Sequence, residues 1–356
     1  MAARATLPNS LAPADPRAAE GFVPYDLPHP DRYPFRMGID QALPAELLDR
    51  AKADRSYPCY LLADVGGVTD PAPQRQVAAA MAALAPDLTG YDVRGEPCGG
   101  TLFAYIVGDV VYHHGAAGLY REQFYTAYGV YPRPIFAVPG NHDGEPGRSE
   151  ERALAGFVAN FCAPVAGPQP LGMERAPIGQ PNVYWTLEAP WLRIIGLYTN
   201  VPEGGVVEAK QRAWFLAEMA RPLEGKHLVV ALHQPVFSAS TIHMGSEAML
   251  DLIHEPAKRA GCKLVISGHV HNYQRYQHNG VNYLANGAGG YHELHGVLPP
   301  STYTGPRPVR NYDASHSFIH MTVSPDRLTL RTVAVPLGID LARAAPRIVD
   351  TLAVGR

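Results

Sequence analysis

Short apolar runs recur along the chain at Cys59–Leu62, Leu102–Val107, Ile135–Val138, Leu192–Leu197, Leu228–Leu232 and Leu264–Ile266. Each has strand length and β-branched content. Between several of them the pattern turns helical, over Gln74–Leu84, Arg121–Tyr128, Glu150–Phe161, Glu208–Ala220 and Ser246–Arg259. A shorter helix is expected ahead of the first run, around Pro44–Asp54. This alternation predicts an α/β domain with helices packed outside a sheet core. Two period-two runs, Phe318–Val323 and Arg327–Val333, joined by Ser324-Pro325-Asp326, predict a hairpin that extends a sheet. Pro/Gly-rich stretches at Ala163–Pro181 and Asn286–Pro308 read as long loops, which in a compact domain are usually functional or mobile. Residues 1–35, rich in Pro and Ala, predict an irregular arm laid over the surface or partly disordered. The expected organisation is an arm plus short helix over 1–56, a main domain over 57–340 and a tail over 341–356.

Composition narrows the class. With 356 residues, 46% hydrophobic and 18% charged, the chain can bury a large core and has an ordinary globular balance. A net charge of −3 with no long basic run argues against nucleic acid held through its phosphates. The first twenty residues, with Asp15, Arg17 and Glu20 among Ala and Pro, contain no apolar stretch of signal-peptide length. No window approaches eighteen uninterrupted apolar residues, so no membrane span is expected. Cys59, Cys98, Cys162 and Cys262 are scattered and form no Cys-x-x-Cys pair. A cytoplasmic protein without disulfides is the expectation.

Five fragments carry the chemistry: Ala63-Asp64-Val65-Gly66, Gly108-Asp109-Val110-Val111-Tyr112, Gly140-Asn141-His142-Asp143, Val230-Ala231-Leu232-His233 and Gly268-His269-Val270-His271. Four directly follow an apolar run, and the third follows Ile135–Val138 through Pro139. Open α/β sheets bind ligands at the carboxyl ends of their strands, so these side chains should converge on one rim. Two metals held close together need a shared anionic ligand, plus imidazole and oxygen ligands, with an open edge for water and substrate. Asp109 suits the bridge, and His269 and His271, two residues apart, point the same way. The glycines before Asp109, Asn141 and His269 are expected to allow tight turns that push the next side chain into the site.

As a set, these fragments resemble the calcineurin-type metallophosphoesterases, and within them most closely the purple acid phosphatases. The Asp-x-His opening of the wider superfamily is absent, since the chain has Asp64-Val65-Gly66. Tyr112 instead stands three residues after Asp109, as in the Gly-Asp-x-x-Tyr motif of the purple enzymes. Further likeness lies in Gln211–Trp214, Gly268–Arg275 and Gly287–Gly290, and the resemblance spans about Tyr60 to Gly290. Two features depart from it: the opening is Ala63-Asp64 where Gly-Asp is usual, and too few residues precede Asp64 for the β-sandwich that plant members carry there.

The resemblance implies a β-sandwich core of mixed sheets flanked by helices, an α/β/β/α architecture, with 57–340 as the catalytic domain. It implies one ion on Asp64, Asp109, Tyr112 and His271, ferric and bound by tyrosinate. A second, divalent ion (Fe2+, Zn2+ or Mn2+) would lie on Asp109, Asn141, His233 and His269. His142 would contact substrate and protonate the leaving oxygen, and His243 matches another substrate-contacting position. The implied activity is hydrolysis of small-molecule phosphomonoesters by attack of a metal-activated hydroxide. Phosphodiester hydrolysis, cyclic nucleotides included, is the alternative on the same site, and a non-catalytic scaffold is the remote one. Asp143 is expected to orient a neighbouring His or cap the following segment. His113 and His114 are expected as a solvated pair, and His292 and His295 as part of a mobile surface loop.

Overall fold

The computed structural model describes residues 25–84, 100–147, 151–163, 178–200, 205–303, 305–341 and 346–356. The first strands in chain order are β1 Arg36–Gly38, β2 Tyr57–Leu62, β3 Ala104–Val107, β4 Ile135–Val138, β5 Trp185–Ala189, β6 Leu192–Leu197 and β7 His227–Leu232; β2, β3, β4, β6 and β7 hold expected apolar runs, whereas β1 and β5 lie outside them. Then follow β8 Leu264–Ser267, β9 Tyr273–His278, β10 Val281–Asn286, β11 Arg310–Tyr312, β12 His316–Val323, β13 Arg327–Val335 and β14 Arg347–Gly355. They form two mixed sheets, one ordered β1-β5-β6-β7-β8-β10-β9-β11 and the other β14-β13-β12-β2-β3-β4. Within them β2, β3 and β4 run parallel, as do β6, β7, β8 and β10. Every residue of β2, β3, β4, β7 and β8 is buried, as strands covered on both faces must be.

The sheets pack face to face through large rings. Trp185 of β5 stacks on Tyr105 of β3 at 6.0 Å and lies 5.6 Å from Phe136 of β4. Its indole N–H donates to the Ala137 carbonyl at 3.1 Å, so the sheet interface buries no orphaned donor there. Helix Ala72–Ala83 covers β12 and β13, while Ala209–Met219 and Glu247–Ala260 cover β6 and β10. The α/β/β/α order expected from the resemblance is therefore present. Helix Glu247–Ala260 has local punctuation at both ends: the Ser246 hydroxyl accepts from the Met249 N–H at 3.2 Å, and Gly261 closes it with φ +71°.

The expected hairpin is β12–β13, in register from His316↔Val335 to Val323↔Leu328. Two expected helices are shorter and wider than their periodicity suggested. Arg121–Tyr125 is π-helical before Thr126–Tyr128, and Ala155–Phe157 continues into π-helical Val158–Cys162. Leu154, at φ +65°, cannot belong to a right-handed helix, so the second cannot begin near residue 150. The segment after 341 includes β14, whose Asp350 accepts from Tyr273 and Arg275 of β9 at 2.8 and 2.7 Å and so ties the two sheets together. Of the arm, residues 1–24 lie outside the described residues, while Phe35 is fully buried and β1 pairs with β5. Most of the expected loop 163–181 also lies outside them. Cys59, Cys162 and Cys262 are free and buried, with burial pushing the Cys262 thiol up to about 12; Cys98 is outside the described residues. Among the described residues, no helix is long and apolar enough to cross a membrane.

Candidate metal centre

Each fragment leaves the carboxyl end of a parallel strand: Asp64 after β2, Asp109 after β3, Asn141 after β4, His233 after β7, and His269 and His271 after β8. The two sheets thus present their strand ends to one rim. Asp64, Asp109 and His269 are themselves in the left-handed region, at φ +57°, +51° and +68°. Such conformations cost about 1–3 kcal/mol each and cluster where a side chain must be aimed. Gly108 shares this geometry at φ +93°, but Gly140 does not (φ −96°). A Cβ on Gly140 would stand 2.1 Å from Asp109 Oδ1, and one on Gly268 would stand 2.7 Å from Asp64 Oδ2. Those two glycines make room for the carboxylates, and the ligand-bearing residues take the turn on themselves.

Two groups of donor atoms result. In the first, Tyr112 Oη lies 2.9 Å from Asp64 Oδ1 and 3.4 Å from His271 Nε2, and His271 Nε2 lies 3.3 Å from Asp64 Oδ1. Atoms bound at ~2.1 Å to one ion sit about this far apart. In the second, Asp109, His233 and His269 offer ligand atoms all within 4.8 Å of one another, and His233 Nε2 stands 3.2 Å from Asp109 Oδ2. His233 Nε2 is also 3.9 Å from Asp64 Oδ1, so the groups adjoin. His243 lies over His269 with ring centroids 4.1 Å apart. Asp64, Asp109, Tyr112, His233, His269 and His271 are therefore brought to one place, with His243 against His269 and His142 against Tyr112, while Asn141 leaves the same rim at the end of β4.

Electrostatics and unpaired atoms agree. Asp64 and Asp109 are buried, and among the described residues their ion-pair partners are histidines, not lysine or arginine. Burial opposes charge on Asp109, yet His233 and His142 outweigh it and hold the carboxyl well below its usual range. Burial likewise acts to lower His233, but the Asp109 and Asp64 charges raise it to about 10. Two buried anions drawing protons onto an imidazole call for a cation. His269 is held neutral by burial and by His233 and His243. The His233 and His269 Nε2 atoms and Asn141 Oδ1 are buried without a hydrogen-bond partner. His233 Nδ1–H donates to the Val107 carbonyl and His271 Nδ1–H to the Glu293 carbonyl, both at 2.9 Å. That support turns each Nε2 lone pair inward, as in metal-ligating histidines. The residues fit a pair of ions.

Asp143 is a support and not a ligand. Its carboxylate accepts from the N–H groups of Val110, Val111 and Gly140 and from the Tyr120 hydroxyl, at 2.9 to 3.3 Å, pinning the Asp109 turn to the Asn141 turn. His142 is 28% exposed; its N–H donates to Asp109 Oδ1 at 3.0 Å, and its Nδ1–H to the exposed His113's carbonyl at 2.9 Å. Its Nε2 takes no part in either bond. Burial works against charge on this ring, but Glu145, Asp109 and the His113 carbonyl raise it to about 9.

The loop after β10 differs from the expected mobile surface. Tyr291 lies against Tyr112 at 4.1 Å and His271 at 4.9 Å, and its N–H donates to the Asp64 carbonyl at 2.9 Å. His295 is 8% exposed and stacks on His271 at 4.0 Å. The only sequence signal for either is proximity to Gly287–Gly290, within the motif set.

A family model described as calcineurin-like phosphoesterase matches residues 64–273. Purple acid phosphatase 21 of Arabidopsis thaliana is 25% identical over 149 residues, covering 41% of this chain and 32% of that protein. The chain thus spans about a third of the length of that relative. The purple acid phosphatase PPD1 from yellow lupin, Lupinus luteus, superposes with a TM-score of 0.59 at 16% identity, over 85% of this chain and 54% of that one. GAP50, described as the anchor in the inner membrane complex of Plasmodium, gives 0.57 at 15% identity, over 84% and 89%. The structural likenesses establish the fold.

Proposed function

The chain belongs to the calcineurin-like phosphoesterase family, and on that premise we propose that it hydrolyses phosphomonoesters at a two-metal centre. The observation that carries this reading is the pair of buried, unpartnered acceptors, His269 Nε2 and Asn141 Oδ1, beside two buried carboxylates and the His233 ring that faces them. A fold kept as a scaffold has no need of such a set, so the likeness to an anchor protein does not favour that role here. The likeness to purple acid phosphatases supports a monoester substrate.

Asp64, Asp109, Tyr112 and His271 would hold one ion, and Asp109, Asn141, His233 and His269 the other. Two bound cations would supply an activated water and polarise the phosphoryl oxygens. The chain's own residues do the rest. The Val107 and Glu293 carbonyls fix the His233 and His271 rings. His243, whose ring lies over His269, would contact the phosphoryl group. His142, protonated and held by His113, offsets phosphoryl charge and gives the Nε2 proton to the leaving oxygen.

The test is a paired assay of metal-supplemented protein on an aryl phosphomonoester and the matching diester. A monoester preference is expected. A diester preference would replace the substrate class, and turnover of neither by protein holding two ions would overturn the reading. We also assign iron to the Tyr112 position. Burial, Asp64 and Asp109 raise the Tyr112 phenol well above its usual range, so only a strongly charged cation would ionise it. Iron-loaded protein should show a visible tyrosinate band that vanishes in Tyr112→Phe; a band unchanged by the substitution would remove Tyr112 from the ligand set.

A further inference from the structure

The loop that follows β10 returns to the rim and is fastened there by backbone and side chain together. The His295 N–H donates to the His271 carbonyl at 3.0 Å, while the His271 N–H donates back to His295 Nδ1 at 3.1 Å. The two imidazoles stack at 4.0 Å with an interplanar angle of 17°. The Asn272 side-chain amide donates to the His295 carbonyl at 2.9 Å. The next residues pair with the segment leading to His243: Thr241 N–H donates to Gly296 O at 2.9 Å, Leu298 N–H donates to Ala239 O at 2.8 Å, and Ser240 bridges Val297. The His295 and His243 rings lie 5.2 Å apart.

We infer that His295 is a positioning residue for the metal centre, fixing the plane of His271 and, through its paired loop, the place of His243. The inference rests on the functional reading above. A metal-ligating imidazole has one free torsion that matters, rotation of its ring about the bond that carries it. His271 is restrained on one edge by the Glu293 carbonyl at Nδ1 and on one face by the His295 ring. Accepting from the His271 N–H places the lone pair of His295 on Nδ1 and its proton on Nε2. His295 is therefore a neutral ring that adds no positive charge beside the ligand it supports. An aliphatic side chain there could fill the volume but could neither accept that N–H nor match the planar stack. Outer partners of this kind are worth about 10–100-fold in metal affinity.

The experiment compares wild type with His295→Ala, which removes ring and acceptor, and His295→Phe, which keeps a stacking ring without the acceptor. Each protein is loaded with iron and Zn2+ and dialysed against graded chelator, and the two metals are counted separately by mass spectrometry. Circular dichroism melts of the metal-free proteins run in parallel. Wild type should retain two ions. His295→Ala should lose one of them at chelator concentrations about 10–100-fold lower, with the other ion unmoved and His295→Phe in between. Excess iron should return His295→Ala most of the way to wild-type turnover. A His295→Ala protein that melts earlier when metal-free yet holds both ions as tightly as wild type would show loop packing alone and overturn the inference. Loss of both ions in step would do the same, since the effect would not be specific to His271. Wild-type protein that holds no ions would instead bring down the functional reading, and this inference with it.

Discussion

Replacing Asp109 by alanine should empty the centre: fewer than one ion per chain after dialysis, and turnover lower by more than about 10⁴-fold, or ~5.5 kcal/mol in the barrier. The residue is 1% exposed, and its two oxygens serve different neighbours. Oδ1 accepts the His142 N–H at 3.0 Å, and Oδ2 faces His233 Nε2 at 3.2 Å. Alanine removes the anion that both ions would share and frees the turn that aims His142. Asp109→Asn separates these effects, because it keeps an acceptor for the His142 N–H and the volume that Gly140 leaves open. Asn should lose metal nearly as completely as Ala while melting closer to wild type. Should Asp109→Asn hold two ions and turn over substrate, Asp109 would be a support for the His142 turn, and the shared-ligand assignment would fall. Metal counting and a melt on the same preparations decide the matter.

The rim was legible because the relevant order is local: a buried apolar run, a turn, then a donor, five times over. Nothing about Asp64 or His269 depends on knowing which strand neighbours which. Features that depend on tertiary pairing were not legible. Strand β9 reads Tyr-Gln-Arg-Tyr-Gln-His, which looks like a polar connector, yet Gln274 is fully buried because its side-chain amide and carbonyl are taken by Asn272, Ala239 and Tyr276. His295 lies in a Pro/Gly-rich stretch, and its burial comes from segments 239–241 and 271, both distant in the chain. Propensity cannot report partners of that kind. The backbone at Asp64, Asp109 and His269 shows the same limit. Glycine was expected to carry the turns, but carboxylate and imidazole residues hold positive φ because the surrounding hydrogen bonds, such as His269 N–H to Asp64 Oδ2 at 2.8 Å, over-determine them.

His142→Ala should leave both ions in place and lower kcat by about 10²–10⁴-fold on alkyl phosphates, the range for losing a positioned acid. The size of the loss should depend on the leaving group. An alkoxide is a poor leaving group and needs a proton as the bond to phosphorus breaks, whereas a nitrophenolate departs without one. On a nitrophenyl ester the same variant should therefore lose less than about tenfold. The geometry separates this role from that of a ligand. His142 directs Nδ1 to the His113 carbonyl, is 28% exposed, and meets Tyr112 only ring against ring at 4.6 Å. None of the ligand atoms in the two groups belongs to it. Equal losses on both ester types would mean that His142 offsets phosphoryl charge without transferring a proton. Departure of an ion from the variant would mean that its packing on Tyr112 holds the ligand set together. Only a leaving-group-dependent loss with full metal content makes His142 the acid, the role that its anchored Nδ1 leaves to Nε2.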